Sequence, residues 1–310
     1  MKLGGKSVFE DLKKNKVLLL MALPAVFYFI LFHYVPMSGI VLAFKDYKTG
    51  GYREIFTSPW VGFKNFRFFF ISGKAALVTI NTILYNLAFI ITGNITQLFA
   101  AIVLSELKNV TFKKFSQSMM FLPYFISWVV VGAFIYNIFN YEFGFLNTIL
   151  TSLGMERFNA YGTPGVWKYI LVTVNLWRWT GYGSIIYLAA IMSIDPEYYD
   201  AAKIDGANIY RQIRHITLPL LVPTIVILFL LQLGQLLRGD FQMFYQIVGK
   251  AGNLYNATDI IDTYVFRMLT ETSELSMAAA AGFYQSVFCF VIIMFTNYLV
   301  RKYNENYALF

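Results

Sequence analysis

Long apolar runs separated by short polar stretches organise this chain. A helix needs roughly 20 apolar residues to cross a hydrocarbon core of about 30 Å. Six runs reach that length, at 17–44, 75–105, 115–141, 169–194, 216–237 and 275–300, and only the fourth holds a formal charge, Arg178. Strand-like alternation is absent, which excludes a barrel, and lipid leaves only barrels and helices because every backbone group must be paired internally. The pattern predicts an all-α membrane protein of six transmembrane helices in one domain, residues 1–310. The first run follows Lys13, Lys14 and Lys16, as a secretory signal would. It is too long for one, and Tyr28, Phe29, Phe32 and Tyr34 stand where a cleavage site needs small residues, so it reads as an uncleaved span.

Composition sharpens the picture. With 58% hydrophobic and 14% charged residues and a mean hydropathy of +0.56, this is no ordinary soluble domain, whose charged share is about a quarter. The net charge of +8 comes from 25 Lys and Arg scattered between apolar runs, with no continuous basic face for nucleic acid. One cysteine, Cys289, permits no internal disulfide, and His33 and His215 are too far apart to make a paired metal motif. An even number of spans puts both termini on one side, and five lysines in the first 16 residues favour the cytoplasm. The full balance leans the same way only slightly, thirteen basic residues inside against eleven outside. The first outer loop interleaves Trp60, Phe63, Phe66, Phe68, Phe69 and Phe70 with Lys64 and Arg67, which predicts a short helix lying on the headgroups.

The loop between the fourth and fifth runs, 195–217, is unusually well punctuated. Asp195 is placed to cap a helix, with Pro196 at its first position and Glu197 in its first turn. Gly206 ends that helix in the left-handed conformation. A second helix is expected from Asn208, as cap, to about His215, with Pro219 setting the start of the fifth span. The loop therefore reads as a folded bracket.

Within it, Asp200, Ala201, Ala202, Gly206, Ile216, Leu218 and Pro219 match the spacing E-A-A-x3-G-x9-I-x-L-P, with Asp in place of the usual Glu. This resembles the EAA loop of ABC importer permeases. Six spans with the loop between the fourth and fifth resemble the MalF-like carbohydrate branch. The stretches TDIIDTYVFR (258–267) and AAAAGFYQ (278–285) are similar to its oligosaccharide, LplB-like subgroup. The resemblance implies a type I ABC importer permease fold whose loop couples to an ATP-binding subunit through Asp200, Ala201, Ala202, Asp205, Gly206, Leu218 and Pro219. Physically, two alanines let a short helix press into a groove, while a carboxylate can meet a basic residue on the partner. The resemblance also implies a second homologous permease, two ATP-binding subunits using ATP and Mg, an extracytoplasmic solute-binding protein and an oligosaccharide cargo, in a bacterial plasma membrane. The chain itself is expected to bind no cofactor and to be no enzyme. Gly5, Lys6 and Ser7 spell the end of a phosphate loop, but the first glycine and the preceding strand are missing.

For the substrate path, Asn175, Arg178, Trp179 and Tyr182 fall at i, i+3, i+4 and i+7 on one face of the fourth span. An intramembrane arginine costs about 2.5–3.5 kcal/mol on insertion scales and so seeks a polar cavity or a partner. Aromatic rings suit the apolar face of a sugar, and amides its hydroxyls. On the fifth span Gln232, Gln235 and Gly239 share a face, with Arg238 and Asp240 at its outer end. Structural alternatives stand beside these roles: Trp177 and Trp179 as an interfacial belt, Arg178 snorkelling outward, and the glutamines bonding neighbouring helices. If Arg178 and Arg238 both face the path, a uronic-acid oligosaccharide fits. Asp259 and Asp262 read as a solvated acidic face or a docking contact for a binding protein, and His33 as the cap of a kink near Pro36. An ion-driven transporter would want an intramembrane acid or inverted repeats, and an intramembrane enzyme a base with a nucleophile or metal. The spans supply none of these, and neither class explains the loop.

Overall fold

The computed structural model of the protein describes residues 15–47, 51–71 and 73–303, so Gly5, Lys6, Ser7 and four of the five N-terminal lysines lie outside the described residues. The described residues are helical, with a single isolated bridge between Lys45 and Trp60. In chain order the helices that matter here are α1 (Lys16–Phe44), α2 (Lys64–Ile71), α3 (Lys74–Glu106), α4 (Val110–Phe125), α5 (Trp128–Phe139), α6 (Trp167–Met192), α7 (Pro196–Ile204), α8 (Ile209–Leu233), α9 (Phe241–Val248), α10 (Ile261–Thr270) and α11 (Leu275–Tyr303). Four of them, α1, α3, α8 and α11, are each long and apolar enough to cross a membrane, and α4 with α5 make a fifth crossing if the bent pair is counted as one. The fourth predicted run is α6, about 39 Å long at 1.5 Å per residue. Polar residues dilute its apolarity, and neighbours cover it instead: eleven of its 26 residues are buried. The apolar stretch of α1, by contrast, buries none. The short helix expected on the headgroups is α2.

Two expected spans differ from the structure. The run 115–141 is not one helix. Pro123 stands in the last turn of α4, Ser127 caps α5 by accepting the Val130 N–H, and the two helices meet at 92°. The run 216–237 is shifted: α8 begins at Ile209 and stops at Leu233, and a turn through Gly234 leads to Gly239. No break occurs at Pro219, because Ile213–Thr217 is a π-turn. Proline lacks an N–H and its ring collides with the carbonyl four residues back, here His215, and a wider turn at that carbonyl relieves the collision. The same device carries α1 past Pro36, where Ile30–Tyr34 is a π-turn. His33 lies inside it, against Phe29 and Tyr28, rather than capping a kink.

Two core clusters bracket α6. Near its start, Trp167, Ile170, Leu171 and Val174 pack with Trp128, Val131 and Ile135 of α5 and with Met243, Phe244, Ile247 and Val248 of α9. Near its end, Tyr187, Leu188 and Ile191 pack with Ala101 and Leu104 of α3 and Leu221 of α8. Gly181 lets α6 approach α4 backbone to backbone, since a Cβ there would lie 1.8 Å from the Met120 carbonyl oxygen.

The acids at 259 and 262 do not form an exposed face. Asp259 is 4% exposed and paired with Arg267 at 2.5 Å, whose guanidinium also lies over the Tyr255 ring, 4.0 Å from its centroid. Asp262 accepts from the Gly239 N–H at 2.8 Å and from Gln285 at 3.1 Å. Removing one partner of a buried pair strands the other charge, at about 3–5 kcal/mol. Arg267→Leu is therefore expected to lower the thermal midpoint of the detergent-solubilised protein, and Asp259→Asn added to it to recover part of the loss. A double variant no more stable than the single one would refute the pairing argument.

Candidate functional site

Between the two clusters, α3, α6, α8 and the turn after α8 line an open cavity of about 720 Å³. That is within the usual range for a small-molecule site. Six of the seven residues singled out from sequence line it: Asn175, Trp179, Tyr182, Gln232, Gln235 and Arg238. Tyr182 is stacked on Tyr124 of α4, ring centroids 4.5 Å apart, and Trp179 stands edge-on to Tyr124. This aromatic group gives the wall an apolar, rigid side. Opposite it, Gln232 accepts from Asn94 of α3 at 2.7 Å, and Asn94 in turn accepts from the Tyr187 hydroxyl at 2.5 Å. Asn175 is buried, with its amide toward the Met243 sulfur at 3.7 Å.

Because α8 ends at Leu233, Gln235 is presented by the turn and not by the helical face that carries Gln232. Asn86 of α3 donates to the Leu236 carbonyl at 2.6 Å and so ties this turn to α3. Arg238 is exposed, and its guanidinium forms no hydrogen bond or salt bridge among the described residues. It lines a second cavity of about 780 Å³ as well, between α1, the turn and α11, where Asp262 and Gln285 stand. Asp240 caps α9 through the Met243 N–H at 3.1 Å. Burial pushes the Asp240 and Asp262 carboxyls above the usual carboxylate range, opposed at Asp240 by the Met243 N–H and the Arg178 charge and at Asp262 by the Gly239 N–H and Gln285.

Arg178 is the seventh residue, and it does not line the cavity. Its guanidinium donates to the Ile126 carbonyl and lies over the Trp128 ring. Conversely, the polar wall supplied by α3 was not singled out from sequence. Asn86, Ile90, Gly93 and Gln97 recur at helical spacing on one face, so the signal was present in the second apolar run.

The loop at the Met192 end of α6 is built as its residues direct. Asp195 accepts from the Glu197 N–H at 3.0 Å, and Asn208 from the Arg211 N–H at 2.9 Å. Gly206 has φ +75°, and the Ala207 N–H reaches the Ala202 carbonyl at 2.8 Å while the Gly206 N–H reaches that of Lys203 at 3.0 Å. That pairing is the Schellman closure of a helix end. The Tyr199 hydroxyl meets Thr217 at 3.0 Å and binds α7 to the base of α8. Asp200 pairs with Lys203 within α7, and Ala201, Asp205 and Gly206 are exposed. Ile204 is 87% exposed, and Tyr198, Ile209 and Tyr210 also face outward, an apolar rim around the alanines. Leu218, half-buried, and Pro219, exposed, stand inside the continuous α8.

Residues 93–305 match the family described as binding-protein-dependent transport system inner membrane component. Among curated proteins, the chain is 34% identical over 303 residues to the polygalacturonan/rhamnogalacturonan transport system permease protein YteP of Bacillus subtilis, covering 97% of this chain and 92% of that protein. It is 32% identical over 301 residues to Protein LplB of the same organism, covering 97% and 93%. Its fold is similar, at TM-score 0.87 and 31% identity over 96% of this chain and all of the other, to a chain in the crystal structure of a bacterial ABC transporter that imports the acidic polysaccharide alginate.

Proposed function

This chain belongs to the binding-protein-dependent transport system inner membrane components, and from that premise we propose that it is the permease subunit of an ATP-driven importer of an acidic oligosaccharide. The observation that carries the cargo is Arg238, an exposed cation with no salt bridge among the described residues, shared by two cavities, beside the aromatic group of Trp179 and Tyr182 and the amides of Gln232 and Gln235. A carboxylate of a uronic acid would meet the guanidinium, ring faces the aromatics and hydroxyls the amides. The relatives point the same way, since polygalacturonan and alginate are both polyuronates.

The chain performs no covalent chemistry. Two separate ATP-binding subunits, with ATP and Mg, act on the 195–217 loop, and the exposed rim of Tyr198, Ile204 and Tyr210 gives them an apolar contact around Ala201 and Ala202. A second homologous permease completes the path and an extracytoplasmic binding protein delivers the cargo. Counting α4 with α5 as one crossing and α6 as another gives six, with both termini and the loop in the cytoplasm. Transport then requires ATP and cargo each to bind the inward-open and outward-open states unequally.

The test is uptake into vesicles holding the complete complex. A charge-assisted hydrogen bond contributes about 1.5–3 kcal/mol, or roughly 10- to 150-fold. Arg238→Gln is expected to lower uptake of an oligogalacturonate by that factor and to spare a neutral oligosaccharide that the complex also accepts. Equal effects on both, or none, would remove the acidic reading.

A further inference from the structure

Arg178 is the one formal charge in six apolar runs, yet it turns away from the cavity, and its neighbours show what the charge does instead. One side of the guanidinium donates to the Ile126 carbonyl, and its Cζ lies 4.3 Å from the centre of the Trp128 ring. The Arg178 charge also acts on the Asp240 carboxyl, opposing the upward push of burial. Nε is buried and has no hydrogen-bond partner among the described residues. These interactions reach three elements. Ile126 and Trp128 flank the 92° break between α4 and α5, and Asp240 opens α9. A helix break leaves carbonyls without intrahelical partners, and away from water each needs a donor. Arg178 supplies one.

The elements it clasps move together by construction. A Cβ on Gly132 of α5 would lie 2.4 Å from the Gln246 carbonyl of α9, so the two helices touch backbone to backbone. Their apolar faces join Trp167, Ile170 and Leu171 in the cluster at the end of α6 distant from the loop, and Phe89, which lines the cavity, packs against that cluster. In the orientation proposed above that end of α6 is the extracytoplasmic one.

We infer that Arg178 is a positioning residue which latches α5 and α9, as one lid, over the extracytoplasmic end of the cavity, and that the latch must release for cargo to enter. The inference rests on the import reading and adds a role that the lining residues do not have. Weakening the latch favours the outward-open state before a loaded binding protein arrives, and loss of a charged hydrogen bond shifts such a balance about ten-fold or more.

The experiment uses the whole complex in lipid nanodiscs and compares ATPase activity with and without loaded binding protein. Arg178→Gln is expected to raise the unstimulated rate several-fold and to shrink the stimulation by binding protein, with the cargo KM of residual transport unchanged. Arg178→Lys keeps the charge but not the planar fork, and should fall between. Wild-type rates in Arg178→Gln, or a raised cargo KM at an unchanged unstimulated rate, would overturn the inference, the second by making Arg178 a cargo contact. Should Arg178→Gln fail to assemble, Trp128→Phe replaces the indole beneath the guanidinium by a smaller ring that holds a cation less strongly. It should raise the unstimulated rate to a lesser degree, and an unchanged rate there also overturns the latch. A wild-type complex whose ATPase no binding protein stimulates would instead defeat the import reading itself.

Discussion

Gly181→Ala is expected to remove the folded subunit from the membrane, although it adds one methyl group. The new carbon would lie 1.8 Å from the Met120 carbonyl oxygen and 2.3 Å from its carbon. Both are main-chain atoms, so no rotamer relieves the clash, and α4 and α6 must separate along the contact that holds Phe121 and Tyr124 against Tyr182. Overpacking a core by a methylene costs about 1–3 kcal/mol even where side chains give way. A backbone clash costs more, against a total stability of about 5–15 kcal/mol. Small residues at helix contacts are how membrane helices approach closely, and this is the tightest such contact among the glycines described. The measurement is the amount of monodisperse chain recovered after mild detergent extraction. Gly282→Ala is the control, because a Cβ there meets nothing within 4 Å and recovery should match wild type. Equal recovery of both variants would show that the α4–α6 approach is not needed.

The second large effect is on coupling. Gly206→Val should leave the chain abundant in the membrane and cut transport, because φ +75° suits glycine and strains a β-branched residue, while open space around the position spares the fold. The left-handed conformation costs an L-residue about 1–2 kcal/mol, and the Schellman closure would open to relieve it. The α7 helix would then lose its fixed angle to α8. Coupling energies of 1–3 kcal/mol correspond to 5- to 150-fold, and transport per assembled complex should fall within that span. Asparagine tolerates the same conformation, so Gly206→Asn should restore most of the rate. Co-purification with the ATP-binding subunits separates weakened assembly from failed transmission. Normal transport by an intact Gly206→Val complex would remove the loop from the mechanism.

The legible parts of the fold were those written in local chemistry. Both caps of the loop and its left-handed glycine follow from residues within three positions of each other, and the structure bears each of them out. The breaks at Ile126 and Gly234 were not legible, because an apolar run says nothing of the backbone's direction. Proline gave no guidance: Pro24 and Pro223 stand inside unbroken helices, and only Pro123 adjoins a break. At the cavity, the aromatic and amide residues of α6 and α8 were readable from helical spacing, and the polar face of α3 was readable but passed over. The partner of Arg178 was not readable at all, since a main-chain carbonyl 52 residues away leaves no mark on composition. Likewise Asp259 and Arg267, eight apart, meet because the chain turns at Ile260 before α10 begins.

The unbroken passage of α8 past Pro219 has a mechanical consequence. From Ile209 to Leu233 the helix spans about 37 Å at 1.5 Å per residue. Joined to α7 in its first third by Tyr199 and Thr217, it runs as a stiff lever arm with no break between the 195–217 loop and the turn that bears Gln235 and Arg238. A tilt of about 5° at the base carries the far end sideways by about 3 Å, the length of a hydrogen bond. Work done on the bracket thus arrives at the cargo as displacement, without the slack that a proline hinge would have absorbed.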